Sequence, residues 1–354
     1  MPLNVASALV PVVVFLAILV LMDSFKLVPF RAVIVAVLAG AAVALVTLVF
    51  HAWLIAATGL SARILSRYVA PLTEETLKAL YVVLVLRRRR VSFLVDTALV
   101  GFAVGSGFAL VENVDYLRSA SDQRLALWVV RGFGPAILHG TTTAIFGMLA
   151  RSLTDRHPDH AVLAIAPAWA IAVGIHSLFN HFALPPALAT CVLLVALPLL
   201  VTLVFNRSER ATREWVGEGL DLDVELLNLI TSADFGRTRL DSYLRELRAH
   251  FPGPVVADMF CLLRVELELA IRAKGMLMAR EAGLEVPVDA DVKARLQELA
   301  YLQGSIGATG LLALKPLRVK SERDDWHRYL LEQAGMKSRG WLWRRLASGH
   351  RGRP

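Results

Sequence analysis

Two adjacent carboxylates, Glu74 and Glu75, stand at the head of the apolar run "VAPLTEETLKALYVVLVLRRRR", which starts at Val69 and ends in four arginines. Lys78 follows one helical turn after Glu74. Three later apolar runs carry more polar groups: "GFALVENVDYL" holds Glu112 and Asn113, "AILHGTTTAIFG" holds His139, and "GIHSLFNHFA" holds His176 and Asn180. An ionisable side chain at the centre of a membrane span is destabilising, by about 2.5–3.5 kcal/mol for Asp, Lys or Arg, and such groups usually pair or serve a function. Glutamates and histidines around a wet pocket suit hydrolysis. A shielded carboxylate can take a proton from water and return it to a leaving amine. A neutral histidine can share that task or bind a metal. An Asn amide or a second histidine can donate to a developing oxyanion. No G-x-S-x-G or H-E-x-x-H occurs, and neither cysteine lies near a histidine in the chain, so nothing points to a serine or cysteine nucleophile.

The elements that must hold these groups are apolar helices. A span needs about 20 apolar residues. Seven stretches qualify: 4–22, 30–57, 68–86, 91–117, 125–151, 161–183 and 187–205. The third crosses only if its glutamates lie inside the bilayer or in a cavity open to one side. At 1.5 Å of rise per residue, Glu75 and His139 each fall about 18 Å from the charged end of their spans, His176 about 23 Å and Glu112 about 32 Å. Helical neighbours four apart share a face, which pairs His176 with Asn180, His139 with Thr143, Phe108 with Glu112 and Glu74 with Lys78 around one expected cavity. Glycines in the fourth and fifth spans, among them Gly101, Gly105, Gly107, Gly134 and Gly140, allow close helix packing there. Each group also has a plainer reading. Glu74 and Lys78 could cancel charge as an ion pair, and Glu112 with Asn113 could sit at the interface.

Composition divides the chain in two. It is 56% hydrophobic with mean hydropathy +0.56, but residues 1–206 hold nearly all the long apolar runs, while 207–354 read as a charged, soluble helical domain. The expected fold is therefore all-α: a polytopic membrane helix bundle of about seven spans, followed by a C-terminal helical domain. Helices are expected near 222–233, 238–250, 255–282 and 289–303, then a basic tail, "KSRGWLWRRLASGHRGRP". That tail reads equally as a membrane-surface segment or as disordered chain. The net charge of +8 comes with both signs mixed along the second part, which is not a nucleic-acid-binding composition. Two cysteines exclude a disulfide framework. Arg87–Arg90 is the strongest basic cluster, and the positive-inside rule puts it in the cytoplasm, with the N-terminus outside and the C-terminal domain inside.

"EETLK", "FALVEN", His139 with its trailing threonines, and "HSLFN" follow one another on successive spans. In that order they resemble the PrsW family of intramembrane proteases, related to the CAAX prenyl protease and bacteriocin-processing superfamily. The resemblance covers roughly 10–205. It implies an endopeptidase of a bacterial-type plasma membrane that cleaves membrane-anchored proteins, for example of the anti-sigma-factor type. Glu75 with Glu74 would activate water, and Glu112, His139 and His176 would complete the site, supported by Lys78, Asn113 and Asn180. Two mechanisms stay open at this stage. One uses a divalent metal such as zinc, held through Glu75, Glu112, His139 and His176, and the other is a metal-free glutamate mechanism. Against the CAAX branch, Lys78 stands where an arginine one residue later is expected, and Glu112 takes the place of a histidine. The competing classes are a proton-coupled transporter and a non-catalytic scaffold that presents the C-terminal domain.

Overall fold

Every regular element among the described residues is helical. The computed structural model describes residues 3–23, 27–87, 93–119, 125–157, 160–182, 184–284, 290–317 and 331. The chain divides into two compact units, Met1–Arg210 and Ala211–Pro354.

The first unit contains α1 (Leu3–Met22), α2 (Phe30–Thr58), the single turn α3 (Ala62–Ile64), a π-turn over Leu65–Val69, α4 (Ala70–Arg87), α5 (Leu94–Ser119), α6 (Leu125–Arg156) and α7 (Ala161–Asn180), and it ends within α8 (Pro186–Thr231). Apart from the C-terminal end of α8, these helices follow the expected apolar runs to within a few residues. Pro29 precedes α2 in an extended conformation, and Gly59 ends it in the left-handed region, its N–H donating to Ile55 O. Ser61 then caps α3, accepting from Ile64 N–H. Three helices, Phe30–Thr58, Leu94–Arg118 and Ala161–Asn180, are by themselves long and apolar enough to cross a membrane, and Leu9–Met22 is a shorter apolar helix. Of the Arg87–Arg90 cluster, only Arg87 is among the described residues.

α5 is the axis of this unit. Of its most apolar stretch 83% is buried, against 28% in α2 and 17% in α7, and it packs on α1, α2, α4 and α6. In lipid there is little hydrophobic gain from bringing helices together, so close packing has to hold the bundle. The glycines make that possible. A Cβ on Gly105 would overlap the backbone of His139 and Gly140, and one on Gly107 would overlap Val37 of α2. The α5 backbone therefore lies directly against the turn of α6 that carries His139. A second apolar cluster, Val82, Phe146, Ala150, Ala168 and Ala172, joins α4, α6 and α7. Those four helices, α4 to α7, supply every candidate residue.

In the second unit α8 runs without a break to Thr231, where a helix starting near 222 was expected. Nothing in "NRSERATREW" stops a helix: the composition changes there while the backbone continues. A 3₁₀ turn (Ala233–Arg237), α9 (Arg239–Leu247), α10 (Gly253–Glu281) and α11 (Ala290–Ala313) follow. α10 is the core helix, burying Val256, Met259, Leu262, Leu263, Leu269, Ala273 and Leu277 at helical spacing. The basic tail lies outside the described residues.

Candidate active site

Lys78 is the centre of a buried polar cluster. Its side chain is fully buried, and Nζ donates to Glu75 Oε1 at 2.9 Å and to His139 Nδ1 at 2.9 Å. The same nitrogen lies 3.8 Å from the centre of the Phe108 ring, where the face of the ring attracts a cation. Glu74 Oε2 is farther away, at 3.9 Å. Helical spacing pairs Lys78 with Glu74, four residues earlier. The structure reverses this, because the i,i+3 carboxylate meets the amine and the i,i+4 carboxylate falls short.

A lysine has donors only, so its contact makes His139 Nδ1 an acceptor and places the ring proton on Nε2. That Nε2–H donates to Glu112 Oε2 at 2.8 Å. From α7, His176 Nδ1–H donates to Glu75 Oε1 at 2.9 Å, which leaves the His176 Nε2 lone pair facing Glu74 Oε2 at 3.9 Å. The two imidazole rings meet edge to face, 4.9 Å between centres. Trp169 Nε1–H donates to Thr76 Oγ1 at 3.0 Å, a further tie between α7 and α4. Glu75 Oε1 thus accepts from two residues, whereas Glu74 Oε2 is buried without a hydrogen-bond partner among the described residues. A buried carboxylate oxygen left so costs about 1–3 kcal/mol or more unless water, substrate or a cation meets it.

Glu74, Glu75, Lys78, Glu112, His139 and His176 are therefore brought together, and Asn113 is buried on α5 next to Glu112. Asn180 is not in the cluster. Its Nδ2 donates to Ser66 O of the π-turn at 2.9 Å. Thr143 likewise turns away, donating to His139 O of its own helix. Sharing a helical face with His176 or His139 was not enough, because backbone carbonyls take both side chains. Sequence reasoning missed His51 of α2, whose Nε2 lies 2.8 Å from Thr73 Oγ1, one residue before Glu74. It also missed Ser177, which donates to Arg67 O at 2.6 Å. Pro71 was the available signal, since a proline in a helix leaves carbonyls that need outside donors.

One group of donors suits a metal. An atom each from Glu74, His139 and His176 lies within 4.8 Å of the others, all three residues being buried. This group contains Glu74, whereas the expected set had Glu75 and Glu112, each of which has one carboxylate oxygen on a histidine nitrogen. Two of the donors are ready. Glu74 Oε2 is unpartnered, and His176 Nε2 is freed by the Nδ1–H bond to Glu75, the carboxylate-to-histidine arrangement found behind many metal ligands. His139 has both nitrogens engaged and would join by releasing Glu112 or Lys78.

The model of the PrsW family of intramembrane metalloproteases matches residues 28–205, half of the chain and all four helices of the cluster. The chain belongs to the PrsW family. It is an intramembrane protease, a membrane-embedded hydrolase of peptide bonds, and its substrates are membrane proteins. Neither a curated protein nor a solved structure matches it.

Proposed function

We propose that the buried cluster hydrolyses a peptide bond of a membrane-anchored protein, at the point between Glu74 Oε2 and His176 Nε2. The observation that carries this is the unpartnered Glu74 oxygen, buried and 3.9 Å from a histidine lone pair, a gap that one water can bridge. The Glu74–Glu75 pair takes the proton as the water oxygen attacks the scissile carbonyl, with Glu74 the nearer acceptor. Glu75 keeps His176 turned toward the water through its Nδ1–H bond. His139 Nε2–H and Lys78 Nζ, which donate to Glu112 and to Glu75 and His139 in the resting cluster, are the donors that would turn to the developing oxyanion. As the carbon–nitrogen bond breaks, the proton held by the carboxylate pair passes to the leaving amine. In a metal-dependent form of the reaction Glu74, His139 and His176 would instead hold a divalent metal, leaving Glu75 as the proton acceptor; zinc suits their oxygen and nitrogen donors and, when bound, would polarise the water or the carbonyl.

The same reading has a multi-pass chain, with a transmembrane domain over 1–206 and a helical domain over 207–354. The arginines at 87–90 support a cytoplasmic position for that second domain and an external N-terminus. The test is cleavage of a pool of single-span membrane proteins by the full-length protein in detergent, beside Glu74→Gln and Glu75→Gln, each with and without a chelator. Fragments from wild type alone are expected, with kcat/KM for Glu74→Gln down about 10³-fold. Loss on chelation, restored by zinc, is expected if the metal takes part. Equal fragment patterns from wild type and Glu74→Gln would remove the catalytic reading.

A further inference from the structure

Pro71 has no N–H, so a carbonyl one turn upstream has no donor within its own helix. The chain accommodates this with the π-turn Leu65–Val69, in which Ala70 N–H closes onto Leu65 O. The next two carbonyls take their donors from α7. Asn180 Nδ2 donates to Ser66 O at 2.9 Å, and Ser177 Oγ donates to Arg67 O at 2.6 Å. A third contact lies beside them: Tyr68 and His181 Nε2 are 3.1 Å apart, the His181 Nδ1–H being directed to Ser177 O. Three consecutive residues of the π-turn are thus tied to the last turn and a half of α7. One side of this junction leads into Glu74 and Glu75, and the other carries His176. Single π-turns within helices are frequent at functional sites.

We infer that Asn180 and Ser177 are positioning residues of the hydrolytic site. They use the carbonyls of the π-turn to fix the register of α4 against α7. That register sets both the 2.9 Å contact of Glu75 Oε1 with His176 Nδ1 and the 3.9 Å gap between Glu74 Oε2 and His176 Nε2. The inference rests on the catalytic reading of those three residues. Asn180 acts through the backbone and does not reach the substrate. A slip of one residue along α4 would move its side chains by about 1.5 Å along the axis and turn them by about 100°, which is enough to separate Glu75 from His176.

The test uses full-length protein in detergent with ¹⁵N-labelled histidine, and it needs no substrate. Amide hydrogen exchange over residues 65–75 reports the ties. The His176 Nδ1–H resonance, recognised by its loss in His176→Gln, reports the register. Asn180→Ala and Ser177→Ala are each expected to speed exchange about tenfold and to shift the resonance. Ser177→Thr keeps the hydroxyl and is expected to match wild type in both. Asn180→Asp keeps the shape without the donor, and it gives the same reading where Asn180→Ala does not fold. Adding Pro71→Ala to Asn180→Ala returns an N–H to the helix: exchange is expected to slow again while the resonance stays displaced. Recovery of both signals would reduce Asn180 to a donor for one carbonyl and end the positioning role. An unshifted resonance in Asn180→Ala and Ser177→Ala would do the same. Cleavage by Glu74→Gln bears on the catalytic reading alone, so the two failures are distinguishable.

Discussion

Among the described residues two lysines are buried, one in each unit, and their surroundings differ. Lys274 of α10 is 4% exposed; its Nζ donates to Asp223 Oδ2 at 2.7 Å and Gly219 O at 2.8 Å, with the Trp215 ring 5.7 Å away. One carboxylate and one carbonyl are what a buried lysine needs, and the site holds no second acid and no histidine among the groups that meet Nζ. Lys78 is fully buried among more chemistry than it can satisfy: three glutamates and two histidines, with one carboxylate oxygen left over. A burial penalty alone does not mark function, because both lysines carry one. What separates them is surplus. The second-unit lysine neutralises a partner and ends there, whereas the membrane cluster keeps an atom in reserve.

Removing each lysine should expose that difference. Lys78→Met strips the donor from Glu75 and His139 together. It is expected to abolish cleavage and to lower stability by about 3–5 kcal/mol, the cost of leaving a buried charge unpaired, read by thermal unfolding in detergent. A Lys78→Met protein that cleaves normally would reduce the cluster to a structural network. Gly105→Ala comes next. Its new Cβ overlaps the His139 carbonyl and the Gly140 Cα, which are backbone and cannot swing aside. The expected cost is about 1–3 kcal/mol, with a large loss of activity because His139 is what must move. Unchanged activity with unchanged stability would mean that α5 and α6 are not packed so closely.

Much of this was legible from sequence where one physical signal dominated. Apolar runs fixed the helices of the first unit, since a membrane span admits few alternatives. Costly charges within those runs pointed to Glu74, Glu75, Lys78, Glu112, His139 and His176. Spacing could not tell which carboxylate would be paired. That depends on whether the i,i+3 or the i,i+4 acid meets Lys78 Nζ, and on His176 arriving from a helix a hundred residues away. Nor could it place Asn180, whose partner is Ser66 O, a carbonyl left free where Ala70 N–H closes onto Leu65 O in the π-turn. The continuation of α8 past residue 205 was hidden for another reason: helix ends are set by backbone breakers and caps, and a change from apolar to charged residues is neither.

The last two predictions concern the second lysine and should be the smallest. Lys274→Met leaves Asp223 without its partner, but Asp223 is 17% exposed and can turn toward water. A loss of about 2 kcal/mol is expected, mostly recovered by adding Asp223→Leu, with cleavage unchanged throughout. Gly219→Ala is milder still. Its Cβ would lie 2.7 Å from Lys274 Nζ, an overlap like that at Gly105 in closeness but not in kind, because the obstacle is the far end of a flexible side chain. Lys274 can give a few tenths of an ångström, and replacing a helical glycine with alanine returns about 1 kcal/mol. The two effects should nearly cancel, leaving the unfolding midpoint within a few degrees of wild type. A loss as large as that of Gly105→Ala would show that Lys274 is held as rigidly as Lys78, and the contrast between a satisfied lysine and a working one would then rest on the unpartnered Glu74 oxygen alone.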